Sequence, residues 1–228
     1  MPSALMRRSG IAAVHISKLI GFNPKSVVQA GVGLNHQEID CIIEQWPDVE
    51  FFGFEPNPIL FKKLNGIYPG YLSKFAVSDN SGTADLHFRR RHKDGSSLNG
   101  LDFKADEETL VEPVQLITFD AFATLTIFKK PILLWLDVEG NELKALQGGT
   151  EFLKMVAVIN VEMTGKPHTD EWCKPWEVHR LLVNAGFVLQ YIHTFRSATG
   201  QYDAVYVRPE MFRLEYSNSP CRCSDCGG

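Results

Sequence analysis

Cysteine, uninterrupted apolar sequence and excess positive charge are all scarce in this chain of 228 residues. Cysteine occurs five times, at Cys41, Cys173, Cys221, Cys223 and Cys226, with the last three crowded into the final eight residues. That distribution excludes the disulfide framework of a large secreted domain and agrees with a reducing, cytoplasmic setting. Three thiols without a neighbouring histidine fall short of the four ligands of structural zinc, so 213–228 reads as a tail. No apolar run approaches the roughly 18–20 residues of a membrane-crossing helix. Arg7 and Arg8 precede a short apolar stretch, but His15 and Lys18 interrupt it, which predicts an amphipathic N-terminal helix within 1–24 rather than a signal peptide. With 23 basic and 27 acidic residues the formal charge is −4, which argues against a general nucleic-acid binder.

What is present is ordinary globular usage, 44% hydrophobic and 22% charged, enough for one full core over 25–212. Short β-rich runs alternate with helical stretches. Ser26–Ala30, Glu50–Phe54 and Tyr71–Val77 read as strands, separated by helices over His36–Trp46 and Pro58–Leu64. Pro131–Leu136 and Val156–Val161 are nearly continuous apolar runs, the mark of strands buried on both faces. Helices are predicted over Asn141–Gln147, stopped by Gly148-Gly149 as a C-cap, and over Trp176–Ala185. Phe187–His193 and Ala204–Val207 predict a closing antiparallel hairpin. The whole is an α/β chain with a mostly parallel sheet. An inserted hairpin over about 82–117 carries the polar loop Arg89–Ser97, and such loops are often functional.

Three groups of residues carry chemistry. Gly31-Val32-Gly33 lies between a strand and a helix, where glycines admit close approach of a ligand to backbone N–H groups. Glu55 follows the next strand, placed to accept hydrogen bonds from both hydroxyls of a ribose. Taken singly, each is equally a tight turn or a helix-start carboxylate; together they point to an adenosine-type nucleotide. A third glycine is missing: His36 stands where a dinucleotide fingerprint wants one, which disfavours NAD and favours a small sulfonium cofactor. The third group, Asp137, Glu139 and Glu162, belongs at strand ends on one rim beside the glycine loop. Crowded carboxylates imply a raised pKa, a hard metal ion such as Mg2+ held by Asp137 and Glu162, or a structural role in which Glu139 or Glu142 caps the next helix.

Gly31-Val-Gly33, Phe54-Glu55-Pro56-Asn57-Pro58, Ala76-Val77-Ser78-Asp79, Ser96-Ser97-Leu98, Leu136-Asp137-Val138-Glu139-Gly140-Asn141-Glu142 and Asn160-Val161-Glu162 occur in that order. Together they resemble the FkbM family of S-adenosylmethionine-dependent methyltransferases, from about Val27 to Glu162. The resemblance implies a Rossmann-like class I methyltransferase fold, a seven-stranded sheet with an antiparallel C-terminal strand. It implies O-methylation of a hydroxyl on a sugar, polyketide or related small metabolite. Carried over by position, Gln29, Gly31, Gly33 and Asn35 flank the methionine part of S-adenosyl-L-methionine. Glu55, with Pro56 and Asn57, holds the ribose; Ala76, Val77, Ser78 and Asp79 border the adenine. Asp137 faces the methyl group, with Glu139 beside it. The family usually has Asp where Gln29 stands and Lys where Trp135 stands, so a cofactor-binding module without turnover is the alternative, and an NAD-dependent oxidoreductase a more distant one.

Arg89–Lys93 reads either as a solvated loop or as a contact for an anionic acceptor. His168 reads as a surface histidine or as a base on a loop over the rim. Trp172 and Trp176 read as helix packing or as a platform for a sugar. Homo-oligomerisation is left open.

Overall fold

The computed structural model describes residues 10–34, 37–89, 95–100, 108–196 and 200–211. Asn35, the cationic residues 90–93 and the cysteine-bearing tail lie outside them. Most sequence readings fall on observed elements. β1 is Ser26–Ala30, α2 Gln37–Gln45, β2 Glu50–Phe54 and α3 Pro58–Leu64, after a first helix α1 at Gly10–Leu19. β1 is buried throughout because helices cover both faces of the sheet. In α2, Ile39 and Ile42 are buried while Asp40 and Glu44 face water. α3 starts where Asn57 Oδ1 accepts the backbone N–H of Ile59 (3.0 Å) and Leu60 (3.3 Å), with Pro58 in the first turn.

One expected strand divides. Tyr71–Ser73 (β3) pairs in parallel with β2, whereas Ala76–Val77 (β4) leaves for a second sheet. The break lies at Lys74–Phe75, where the Phe75 N–H donates to Ser73 Oγ (3.2 Å) in place of a ladder partner. The insertion is the expected hairpin, β5 (Gly82–Arg89) against β7 (Thr109–Ile117), with β6 (Ser96–Ser97) on the outer side. With β4 it forms a four-stranded sheet in the order β4-β7-β5-β6 around Ala76, Leu86, Phe88, Val114 and Leu116.

After α4 (Phe119–Leu125) the chain returns through β8 (Ile132–Leu136), α5 (Glu142–Gln147), β9 (Val156–Thr164), α6 (Pro175–Asn184), β10 (Val188–Arg196) and β11 (Gln201–Val207). The main sheet has seven strands in the order β10-β11-β9-β8-β1-β2-β3. β11 is antiparallel to both neighbours, and all other pairs among β9, β8, β1, β2 and β3 are parallel. One face packs Val28, Leu134 and Ile159 against Phe119, Leu146 and Leu182; the other packs Val27, Leu133 and Val158 with Ala13, Ile42 and Leu64.

At the end of α5, Gly148 is the C-cap that the sequence places there, its N–H donating to the Leu146 and Lys144 carbonyls. Its φ is −75°, open to any residue. Space is what demands glycine: a Cβ at 148 would lie 2.1 Å from the Ser78 carbonyl oxygen. Gly148→Ala should therefore cost about 1–3 kcal/mol through forced backbone movement, read as a melting point lowered by several degrees. An unchanged melting curve would show that the contact relaxes freely.

Candidate functional site

β1 sits between β2 and β8, so the chain leaves β1 in one direction and β8 in the other. At such a switch point the loops beyond the strand ends part, and a ligand crevice opens. A cavity of about 370 Å³ occupies this place, and its walls include Gly31, Gly33, Glu55, Val77, Asp137 and Glu162.

On the β1 side the loop is set by backbone contact. Gly31 N–H donates to the Phe54 carbonyl (3.0 Å) and Asp137 N–H to the Ala30 carbonyl (2.9 Å). Gly31 has φ 80°, and a Cβ there would fall 1.6 Å from the Asp137 carbonyl oxygen. Only glycine fits. Gly33 N–H donates to Glu55 Oε2 (2.9 Å), and Asn57 N–H donates to Glu55 Oε1 (3.0 Å). The buried Glu55 thus ties the glycine loop to the start of α3 while its carboxylate faces the cavity. Pro56, Leu60, Ala76, Val77 and Leu86 supply an apolar wall next to it.

Not every expected cofactor residue lines the cavity. Gln29 is buried in β1 off the cavity wall and accepts a hydrogen bond from the Tyr68 hydroxyl (3.3 Å), whereas Trp135, its partner on β8, lines the cavity. Asn57 acts as a helix cap, and its Nδ2 donates to Ser96 Oγ (2.9 Å). Ser78 is buried, and its hydroxyl donates to Asp79 Oδ1 (3.2 Å), neither residue being on the cavity wall.

The acidic rim is assembled as expected. Asp137, Glu139 and Glu162 line the same cavity. The Asp137 carboxyl is held well above the usual carboxylate range, first by burial and then by the charges of Glu162, Glu139, Glu142 and Asp203. Glu162 Oε1 accepts a hydrogen bond from Gln201 Nε2 (2.8 Å). Glu142 is the structural carboxylate. It does not cap its own helix; its Oε1 accepts the N–H of Val138 (3.2 Å) and Gly140 (3.1 Å), and its Oε2 the Cys173 thiol (3.2 Å). Burial raises its pKa as well, against those bonds. Glu139 has φ 50°, a left-handed conformation that costs a non-glycine residue about 1–3 kcal/mol and marks functional sites.

Of the remaining expectations, His168 follows its surface reading, Trp172 its packing reading, and Trp176 departs from packing. Among the described residues no group of three or more His, Cys, Asp or Glu side chains is arranged to hold a metal ion, while Asp137 and Glu162 share the cavity wall. His168 is exposed, packs its ring on Trp172 (centroids 4.9 Å apart) and does not reach the cavity wall. Trp172 is buried, and its Nε1 donates to the Gly100 carbonyl (2.9 Å), so it offers no open platform. Trp176 is exposed rather than packed, with the Arg180 guanidinium 5.0 Å from its ring centroid. The site also contains residues that the sequence did not single out: Glu38, Leu60, Leu86 and Gln201. Their motif signals are weak because each comes from a different element and meets the others only in three dimensions.

The raised Asp137 carboxyl has a consequence for stability. The folded chain keeps that proton to higher pH than the unfolded chain does, so stability falls as pH rises from the ordinary carboxylate range through the raised value. Asp137→Asn removes this loss. The variant should melt higher than the parent at about pH 7, with the gap closing toward about pH 4. A gap that opens toward acid instead would refute the assignment.

The family model described as the methyltransferase FkbM domain matches residues 32–199. A hexuronic acid methyltransferase, AglP, of Haloferax volcanii is 29% identical over 135 residues, covering 58% of this chain and 54% of that protein. The chain thus spans about half the length of this curated relative. Among solved structures, Aeropyrum pernix fibrillarin with bound S-adenosyl-L-methionine aligns over 88% of this chain and 75% of its own, at 10% identity and a TM-score of 0.49. The magnesium protoporphyrin IX methyltransferase of Synechocystis PCC 6803 aligns over 87% and 79%, at 10% identity and a TM-score of 0.47. The family match begins within the glycine loop, spans the acidic rim and the insertion and sets aside the oxidoreductase alternative: this chain belongs to the FkbM methyltransferase family.

Proposed function

We propose that this chain is an S-adenosyl-L-methionine-dependent O-methyltransferase whose acceptor is a hydroxyl of a small, sugar-containing molecule. The observation that carries the reading is one cavity joining a glycine loop and a strand-end Glu55 to a raised Asp137. The fit to the cofactor rests on this chain's own atoms. Gly31, packed against the Asp137 backbone, and Gly33 bring the glycine loop to the cavity wall, Glu55 offers acceptor oxygens to a ribose, and Leu60, Val77 and Leu86 offer an apolar wall to a purine. All charged side chains on the described wall are acidic: Glu38, Glu55, Asp137, Glu139 and Glu162. That field favours a cationic sulfonium and ammonium. When bound, the cofactor supplies an electrophilic methyl group.

The difficulty that the protein must solve lies with the acceptor, since an alcohol is a poor nucleophile until its proton is leaving. Asp137 is placed to take that proton, and its raised pKa brings its basicity nearer neutrality. Glu139 and Glu162 keep the Asp137 carboxyl basic by repulsion. Positioning the hydroxyl beside the methyl group supplies much of the remaining acceleration. The sugar-containing acceptor is supported by the hexuronic acid methyltransferase relative. An acidic wall is a poor seat for a carboxylate, so the hydroxyl-bearing part of the acceptor, not its acid group, belongs at Asp137.

Radiolabelled S-adenosyl-L-methionine incubated with D-glucuronic acid, D-galacturonic acid and neutral hexoses tests the reading. Label should pass to at least one sugar. Glu55→Gln should weaken cofactor binding about tenfold, the scale of one charge-assisted hydrogen bond. Asp137→Asn should preserve binding and lower turnover about a hundredfold. Full turnover in the Asn variant would remove Asp137 as the base, and absence of cofactor binding by calorimetry would end the methyltransferase reading.

A further inference from the structure

The insertion meets the acidic rim in an arrangement that the proposed reaction does not yet use. The turn from Val138 to Asn141 carries backbone groups that no ladder satisfies. Glu142 takes two of its N–H groups from within. The Val138 and Asn141 carbonyls accept the N–H of Asn141 and Ala145, whereas the insertion reaches the Glu139 and Gly140 carbonyls, the second shared with the Cys173 N–H (3.1 Å). Ser97 Oγ donates to the Glu139 carbonyl (2.6 Å), and Asn99 Nδ2 donates to the Gly140 carbonyl (2.9 Å) and to Asn141 Oδ1 (3.4 Å). Ser97 Oγ in turn accepts the Asn99 N–H (3.1 Å), and Lys144 Nζ donates to Asn99 Oδ1 (3.3 Å). Both side chains are buried, Ser97 at 0% and Asn99 at 3% exposure. The segment is anchored on two further sides. Thr169 Oγ1 donates to the Asn99 carbonyl (2.7 Å), and Asn57 Nδ2 holds Ser96 beside Glu55. Trp172 closes the turn from the last direction, since a Cβ at Gly140 would lie 2.3 Å from its indole.

A left-handed glutamate does not hold itself in place; its surroundings must over-determine it. We infer that Ser97 and Asn99 are positioning residues for the reaction: they fix the left-handed Glu139–Gly140 turn so that the Glu139 carboxylate stands in the cavity beside Asp137. The insertion therefore serves the catalytic end of the site through Glu139, and does more than border the acceptor. This inference rests on the methyltransferase reading above, and its test separates the two.

Three measurements on the full chain decide it. Hydrogen–deuterium exchange follows the amides of 138–142. Calorimetry follows S-adenosylhomocysteine binding, and turnover is measured with S-adenosyl-L-methionine and D-glucuronic acid. Ser97→Ala and Asn99→Ala should speed exchange of the turn about tenfold or more while leaving the outer strands of the sheet unchanged. Affinity for S-adenosylhomocysteine should stay within about threefold and kcat should fall about tenfold. Adding Ser97→Ala to Glu139→Gln should cost no further kcat, because a residue acting through Glu139 has nothing left to position. A purely structural role would give the same loss in both backgrounds and would overturn the inference. So would unchanged exchange in the turn, or a collapse of cofactor affinity in step with kcat. If Asn99→Ala does not fold, Ser97→Ala decides alone. Failure of the parent chain to bind S-adenosylhomocysteine would remove the methyltransferase reading and the inference with it. Binding without methylation of D-glucuronic acid would remove only that acceptor, and the exchange measurement then decides.

Discussion

The site depends on one close approach, that of the β1 loop to the first residue beyond β8. Gly31 and Asp137 meet backbone to backbone, with no space for a single methyl group between them. That contact brings the glycine loop and the acidic rim to the same opening. The Asp137 N–H to Ala30 carbonyl bond and the Gly31 N–H to Phe54 carbonyl bond lock three adjacent strand ends together. Everything nearby is hung from this lock: Glu55 reaches back to Gly33, and Val138–Glu142 turns away from Asp137 toward α5.

The acidic rim is costly to build, and its cost is its use. Like charges crowded into a partly buried space repel, so the chain must hold them by other means. Glu142 is satisfied by two backbone N–H groups and a thiol, a local network that fixes the turn. The same crowding drives the Cys173 thiol up to about 12, with burial the larger cause and the Glu142 charge next, so this cysteine is a hydrogen-bond donor and not a nucleophile. Burial raises the Glu142 carboxyl against its hydrogen bonds, and it raises Asp137 together with the charges of Glu162, Glu139, Glu142 and Asp203. Asp137 and Glu142 thus lie five residues apart in different settings, Glu142 held by backbone and thiol donors and Asp137 set among like charges.

The insertion binds the two ends of the cavity into one unit. Ser96 joins the cap of α3 beside Glu55, while Ser97 and Asn99 join the turn beside Asp137. Side chains of Thr169 and Trp172 reach the same segment from the loop after β9. A polar segment so fully bonded is rigid where it crosses the cavity, which favours a preorganised site over one assembled by ligand.

Much was legible in the sequence itself. Continuous apolar runs identified β8 and β9 because strands covered on both faces need no polar alternation, and Pro58 marked the first turn of α3. The glycine loop, Glu55 and Asp137 were legible because each sits at a strand end, where topology alone sends ligand groups to one edge. What tertiary structure decided were choices between equivalent local chemistries. Local sequence does not say that Ser73 would end one strand and send Ala76 to a second sheet, or that Gly148 serves space and not φ. Nor does it say that Glu142, among four nearby acids, would take the backbone donors. His168 and Trp176 carry reactive or stacking side chains, yet the fold leaves them exposed and away from the cavity. Ser97 and Asn99 lie some forty residues before Glu139, and the three meet because the insertion folds back on the turn. Sequence determines which residues can do chemistry and where strands end; long-range packing determines which of those groups meet, because hydrogen-bond partners and burial are properties of neighbours that the chain supplies from far away.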